Sequence, residues 1–386
     1  MELVYLDHAA TSPLHPQVIK EMFEVYEGNF GNPSSIHQVG RKARQAIDDS
    51  RRKIASYLGV KEHTLIFTSG GTEADNLAII GYALANSTKG KHIITTSIEH
   101  HAVLHACQEL EKRGFEVTYL PVNKAGQISV DELKAALRDE TILVTVMFGN
   151  NEVGTVQPIA EISQILQGHQ AVFHTDAVQA CGLVELNIPE LGVDLLSITA
   201  HKINGPKGIG LLYVRDGITL LPTLFGGEQE RKRRAGTENV AGVVGFAKAI
   251  ELSYENMAKK NEQYKSFSQR FFDILVESRL TFYYNGHQEQ RLPHIFNVSF
   301  PGVNVESMLV NLDMEGISAS SGSACTAGSI DPSHVLVAMH PEEREQYASA
   351  LRFSFGLNNT LEQVEYAAHK TVEIVRRLKQ DKPFIE

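Results

Sequence analysis

Residues 173–208 read FHTDAVQACGLVELNIPELGVDLLSITAHKINGPKG, and this stretch decides the fold. Two apolar runs, Ala171-Val172-Phe173 and Leu195-Leu196-Ser197-Ile198, are short enough to be buried strands. Each ends in polar residues: His174, Asp176 and Gln179 after the first, Thr199, His201 and Lys202 after the second. In an open α/β sheet, ligands bind at that edge.

An Asp and a Lys together at strand ends suit pyridoxal phosphate chemistry, in which a lysine joins the cofactor aldehyde and a carboxylate partners the pyridinium nitrogen. Asp176 is placed at the nitrogen and Lys202 at the aldehyde. Opposite charge in a poorly solvated site favours the protonated ring, the better electron sink. Alone, such an Asp is a turn cap and such a Lys a solvated charge; their flanking residues argue for the site.

Upstream, strands and helices alternate, which specifies a mainly parallel sheet. A strand over 64–68 is followed by a helix over 72–84, so Ser69-Gly70-Gly71-Thr72 forms a glycine turn at a helix start. Such a turn is an anion site, and it assigns Gly71 and Thr72 to the phosphate. It lacks both GxGxxG and a Walker lysine, which weakens dinucleotide and nucleotide readings. Helix spacing over 38–58 ends at Gly59, and further strands are expected at 91–97, 117–120 and 141–147. A helical region over 243–279 leads into a smaller α+β portion, with a strand at 295–300 and helices at 305–312 and 361–378. The run EQERKRR at 228–234 is expected to be a solvated face.

The length of 386 residues allows about two domains. With 42% hydrophobic and 21% charged residues the composition is globular. A formal net charge of -10 argues against direct nucleic-acid binding. Three cysteines, Cys107, Cys181 and Cys325, fit neither a disulfide framework nor a paired zinc site. His101 and His105 lack the Glu of HExxH, and no metal is expected. The first residues lack the features of a signal peptide, and no stretch approaches 18 apolar residues, so a cytoplasmic protein without a membrane segment is expected.

Cys325 lies in SSGSACTAGS at 320–329, a run of small and polar residues that is expected to form a mobile loop, about 320–332, with an exposed, reactive thiol. Arg352, in LRFSFG, can bind a carboxylate as a two-pronged fork.

TDAVQ followed by ITAHKINGPKG resembles the cofactor segment of the cysteine desulfurases that serve iron–sulfur cluster assembly and tRNA thiolation. The similarity extends through YLDHAAT at Tyr5, GNPSS at Gly31, TSGGTEADN at Thr68, IEHHAV at Ile98, NNEVGTVQPI at Asn150, RRAGTEN at Arg233, SSGSACTAGS at Ser320 and LRFSFG at Leu351. It implies a fold-type I PLP-dependent transferase of the class-V aminotransferase family, of α/β class, with a mainly parallel central sheet sandwiched by helices. A large domain is expected at 15–255 and a smaller one at 1–14 and 256–386.

The resemblance also implies roles. His100 stacks on the ring and moves a proton. Asn151 lies beside cofactor and substrate, Gln179 meets the ring hydroxyl, Thr199 and His201 reach the phosphate, and Asn32 lies near the substrate. Thr237 contacts the phosphate of a partner subunit, which makes a homodimer. Lys202 removes the Cα proton of L-cysteine, Arg352 holds its carboxylate, and Cys325 takes the sulfur as a persulfide while alanine leaves. The long form of the cysteine loop implies direct transfer to an iron–sulfur scaffold or a tRNA-thiolating enzyme. A selenocysteine lyase, an aminotransferase or a non-catalytic sulfur-relay protein are the alternatives.

Overall fold

The computed structural model describes residues 3–321 and 332–380. Its first strand, β1 (Val4–Tyr5), is followed by seven that form one sheet: β2 (Leu65–Thr68), β3 (His92–Thr96), β4 (Glu116–Leu120), β5 (Thr141–Thr145), β6 (Val172–Asp176), β7 (Leu195–Thr199) and β8 (Gly210–Val214). Their order is β2-β8-β7-β6-β5-β3-β4. Only β8 runs against its neighbours; the other pairs are parallel. β5, β6 and β7 are buried along their whole length, so both faces must be covered and the strands read as continuous apolar runs.

The remaining strands are β9 (Tyr283–Asn285), β10 (Ile295–Ser299), β11 (Ile317–Ser318) and β12 (Ala350–Ser354). β10 is the centre of an antiparallel three-stranded sheet, and β11 pairs with β1 in parallel. A second apolar cluster joins Val4 and Leu6 to Phe271, Phe296, Phe353 and the inner face of the helix Leu361–Gln380. The amino-terminal arm therefore packs on the far end of the chain.

The helix Gln38–Leu58 ends where expected, with Gly59 at φ 69° as its left-handed cap. Three expectations change in detail. The helix over 72–84 is present as Gly71–Asn76, a π-turn at Leu77–Gly81 and a last turn at Tyr82–Ala85. The region over 243–279 is two helices, Val240–Glu255 and Met257–Glu277, because Asn256 turns its side chain back on the Leu252 carbonyl and ends the first.

The charge run is not simply a solvated face. Glu230 is buried and takes both prongs of buried Arg51, at 2.6 and 2.9 Å, and the Phe67 N–H at 3.0 Å. Arg234 pairs with Glu73 at 2.8 Å, tying the run to the first turn of the helix Gly71–Asn76.

Candidate active site

Asp176 is the last residue of β6, and Lys202 lies in the turn Ala200–Lys202 that directly follows β7. Parallel pairing sets Asp176 opposite Ser197, so adjacent strands bring both groups to one edge of the sheet. The Lys202 ammonium donates to the Ala9 carbonyl at 2.5 Å and the Ala10 carbonyl at 2.7 Å. Gln179 Nε2 donates to the same Ala9 carbonyl at 2.9 Å, and its Oε1 lies 3.2 Å from His294 Nε2. The LDHAAT arm is thus a wall of the site.

Asp176 accepts from the Val178 N–H at 2.9 Å. Burial pushes its carboxyl up to about 6, against the pull of that N–H and of Lys202. A buried carboxyl with this unmet demand for a cation is a fitting partner for a pyridinium N–H.

Beside it lies a cavity of about 400 Å³ lined by Thr11, Gly70, Gly71, Thr72, Thr199 and Lys207, with His201 at its wall. Backbone N–H groups at a helix start, threonine hydroxyls and an ammonium make a donor set for a phosphate dianion. Gly71 fits only as glycine, since a Cβ there would lie 2.9 Å from Val178 Cγ2, on the turn that carries Asp176. His201 Nδ1 lies 3.1 Å from Thr11 Oγ1, and Thr199 Oγ1 donates to the Ile209 carbonyl at 3.2 Å. Burial, with Lys202 and Lys207 nearby, lowers His201 to about 4, so it is neutral at neutral pH. Anion cradle, lysine and buried carboxyl together match the three ends of pyridoxal phosphate.

His100 caps the helix His101–Lys112, its Nδ1 accepting from the Ala102 N–H at 3.1 Å. Burial, and then the Lys202 charge, lower it to about 4. The ring is therefore neutral, with its proton on Nε2.

Arg352, in the middle of β12, is 3% exposed. Its Nη1 donates to the Asn151 carbonyl and its Nη2 to Asp7, both at 2.9 Å. Nε finds no partner among the described residues, which leaves one edge of the guanidinium for a carboxylate. Asn151 therefore supports the arginine through its backbone. Ser320, the start of the cysteine loop, exchanges both backbone hydrogen bonds with Arg352. Cys325 itself lies outside the described residues.

The structure does not bring Asn32 and Thr237 to this cavity. Asn32 is exposed and closes a turn by accepting from the Ser34 N–H at 2.9 Å. Thr237 is exposed and lines a separate cavity of about 110 Å³, which shares Ser69 and Gly208 with the phosphate cradle. Arg44 links the two loops through the Pro33 carbonyl and Glu238.

Lys207, Asp7 and Asp75 were not anticipated. The first follows directly from NGPKG, which continues the Lys202 segment. Asp7 gives no local signal, since its partner is 345 residues away.

The class-V aminotransferase family matches residues 4–367. A putative cysteine desulfurase IscS 1 of Bacillus subtilis (strain 168) is 58% identical over 378 residues, covering 98% of this chain and all of the relative. Among solved structures, a NifS-like protein superposes with a TM-score of 0.92 at 34% identity, covering 98% of this chain and all of the other. The structure titled SspA in complex with cysteine gives 0.80 at 36% identity, over 91% of this chain and 98% of its own.

Proposed function

The chain belongs to the cysteine desulfurases of the class-V aminotransferase family, a pyridoxal-phosphate-dependent group, and we propose how its own residues carry that activity. When bound, the cofactor supplies an electron-withdrawing ring. Asp176 would hold the ring nitrogen, and Gly71, Thr72, Thr199, His201 and Lys202 would fix phosphate and aldehyde. His100 would pack on the ring face and serve proton transfer at the substrate thiol, and Gln179 and Asn151 would border the ring.

L-Cysteine enters with its carboxylate on the open edge of Arg352. The Lys202 amine takes the Cα proton. The Cys325 thiolate attacks the substrate sulfur, so an S–S bond forms as the substrate C–S bond breaks. The bond pair stays with the substrate Cβ, which takes up a proton, Lys202 returns a proton to Cα, and alanine leaves with Cys325 as the persulfide. One observation carries this account: Lys202 and Asp176 end adjacent strands beside an anion cradle, with Arg352 held by Asn151 and by the start of the cysteine loop.

We place the large domain at 15–255 and the smaller one at 1–14 and 256–386. The homodimer is supported by Phe30 and Ile36, 81% and 90% exposed on the loop that also holds Asn32, and by exposed Phe225 and Thr237. On this account Thr237 completes the partner's phosphate site. The persulfide passes to an iron–sulfur scaffold or a tRNA-thiolating enzyme. No helix among the described residues is long and apolar enough to cross a membrane. A reducing cytoplasmic setting suits Cys107 and Cys181, both buried thiols pushed up to about 12.

The test is the holoenzyme with L-cysteine and a thiol reductant. Alanine and sulfide should form in equal amounts, and Cys325→Ala should stop both while the visible cofactor band remains. Parent-rate sulfide release by Cys325→Ala would contradict the proposal.

A further inference from the structure

Two buried carboxyls that the site described above does not use lie close to Asp176. Asp75, on the helix whose start forms the phosphate cradle, is 1% exposed; Glu99, after β3, is fully buried. His174 and Asp176 are two residues apart on β6 and share a face. Asp75 Oδ1 lies 3.6 Å from His174 Nε2 and has no hydrogen-bond partner among the described residues. The same His174 nitrogen lies 3.0 Å from Ser197 Oγ, and Ser197 stands opposite Asp176 in the β6–β7 ladder. Glu99 Oε1 accepts from the Met147 N–H at 2.9 Å and from Thr96 Oγ1 at 2.8 Å, while Oε2 has no partner among the described residues.

Three carboxyls buried this close together cannot all ionise, since each lone buried charge costs several kcal/mol and like charges add to it. Lys202 acts on Asp176, and among the described residues no cation acts on the other two. His174 is fully buried, a strong bias towards the neutral ring. Cys107, on the neighbouring helix, is a neutral thiol, and His100 is a neutral ring. On the outer side of its own helix, Glu73 is taken up by Arg234.

We propose that Asp75 is a positioning residue for Asp176: it packs behind Asp176 as the uncharged acid, against the His174 ring that Ser197 holds, so that Asp176 is the carboxylate that meets the cofactor. Glu99 is held in the same uncharged form. Burial raises Asp75 well above the usual carboxylate range and Glu99 to about 8, with Asp176 adding to both.

The functional consequence rests on Asp176 being the ring-nitrogen partner; the charge state of Asp75 does not, and is tested on the cofactor-free protein. A carboxyl whose folded pKa is raised binds its proton more tightly when folded, so it withdraws stability as pH rises above about 4. Asp75→Asn mimics the uncharged acid and removes that loss. Its thermal midpoint should exceed the parent's by about 2–5 °C at pH 8, with the difference closing towards pH 4. Glu99→Gln should behave in the same way. A lower midpoint for Asp75→Asn at pH 8, as loss of an ion pair with charged His174 would give, would overturn the proposal. So would an Asp75→Asn chain that does not fold. In the holoenzyme, Asp75→Ala, which also removes the contact with His174, should weaken pyridoxal phosphate binding about tenfold more than Asp75→Asn, by about 1.4 kcal/mol. Equal losses in the two variants would contradict a positioning role.

Discussion

Arg352 Nη2 and Asp7 Oδ1 meet at 2.9 Å across 345 residues of chain. This ion pair fixes the plane of a guanidinium that is also held by the Asn151 carbonyl, and it aims the unpartnered Nε edge. Lysine has one compact charge and no fork, so Arg352→Lys should raise the KM for L-cysteine about 10–100-fold. Steady-state kinetics on the folded variant measure this; an unchanged KM would remove Arg352 from the substrate site.

Only glycine fits at position 71 without pushing on the turn that carries Asp176. Gly71→Ala should displace the cradle and weaken pyridoxal phosphate binding about tenfold, read by absorbance titration of the cofactor-free protein. Parent-like affinity would place the phosphate elsewhere.

The cofactor-free protein should be most stable near pH 6.5. His8, His100 and His201 are each lowered from 6.5 to about 4, chiefly by burial. The unfolded chain binds the more protons between those values, so stability falls as pH drops from 6.5 to 4. Glu99, raised to about 8, acts in the opposite sense and makes stability fall again from pH 6.5 to 8, while Asp176, raised to about 6, offsets part of the acid limb. Thermal midpoints across pH 4–9 test both limbs, and His8→Gln should flatten the acid one.

Glu230 is held by Arg51 and by the Phe67 N–H in a buried setting. Glu230→Gln leaves the Arg51 charge without its partner and should cost about 3–5 kcal/mol. Glu228→Gln, at the exposed start of the same run, should change stability by less than about 0.5 kcal/mol. Urea midpoints distinguish the two.

What was legible in the sequence follows from the range of the interactions. Asp176 and Lys202 end short buried strands, and their neighbours in the chain define the edge they share. Gly59 ended its helix as read because a left-handed cap is a local matter. Glu230 and Arg51 are 179 residues apart, and nothing within a seven-residue charge run reports a distant buried partner. Asp75 did leave a trace: it shares a helical stripe with Ile79 and Tyr82, both buried, and an acid within such a stripe needs a reason. Asn32 and Thr237 are exposed and lie away from the cavity, and the roles proposed for them need a second copy, to which local sequence patterns are blind.

The account stands on the lysine that follows β7. Borohydride reduction of the holoenzyme, followed by proteolysis and peptide mass mapping, should place the pyridoxyl label on Lys202 alone, and Lys202→Ala should take none. A label on any other lysine, or no label on a protein that still converts L-cysteine to alanine, would contradict it.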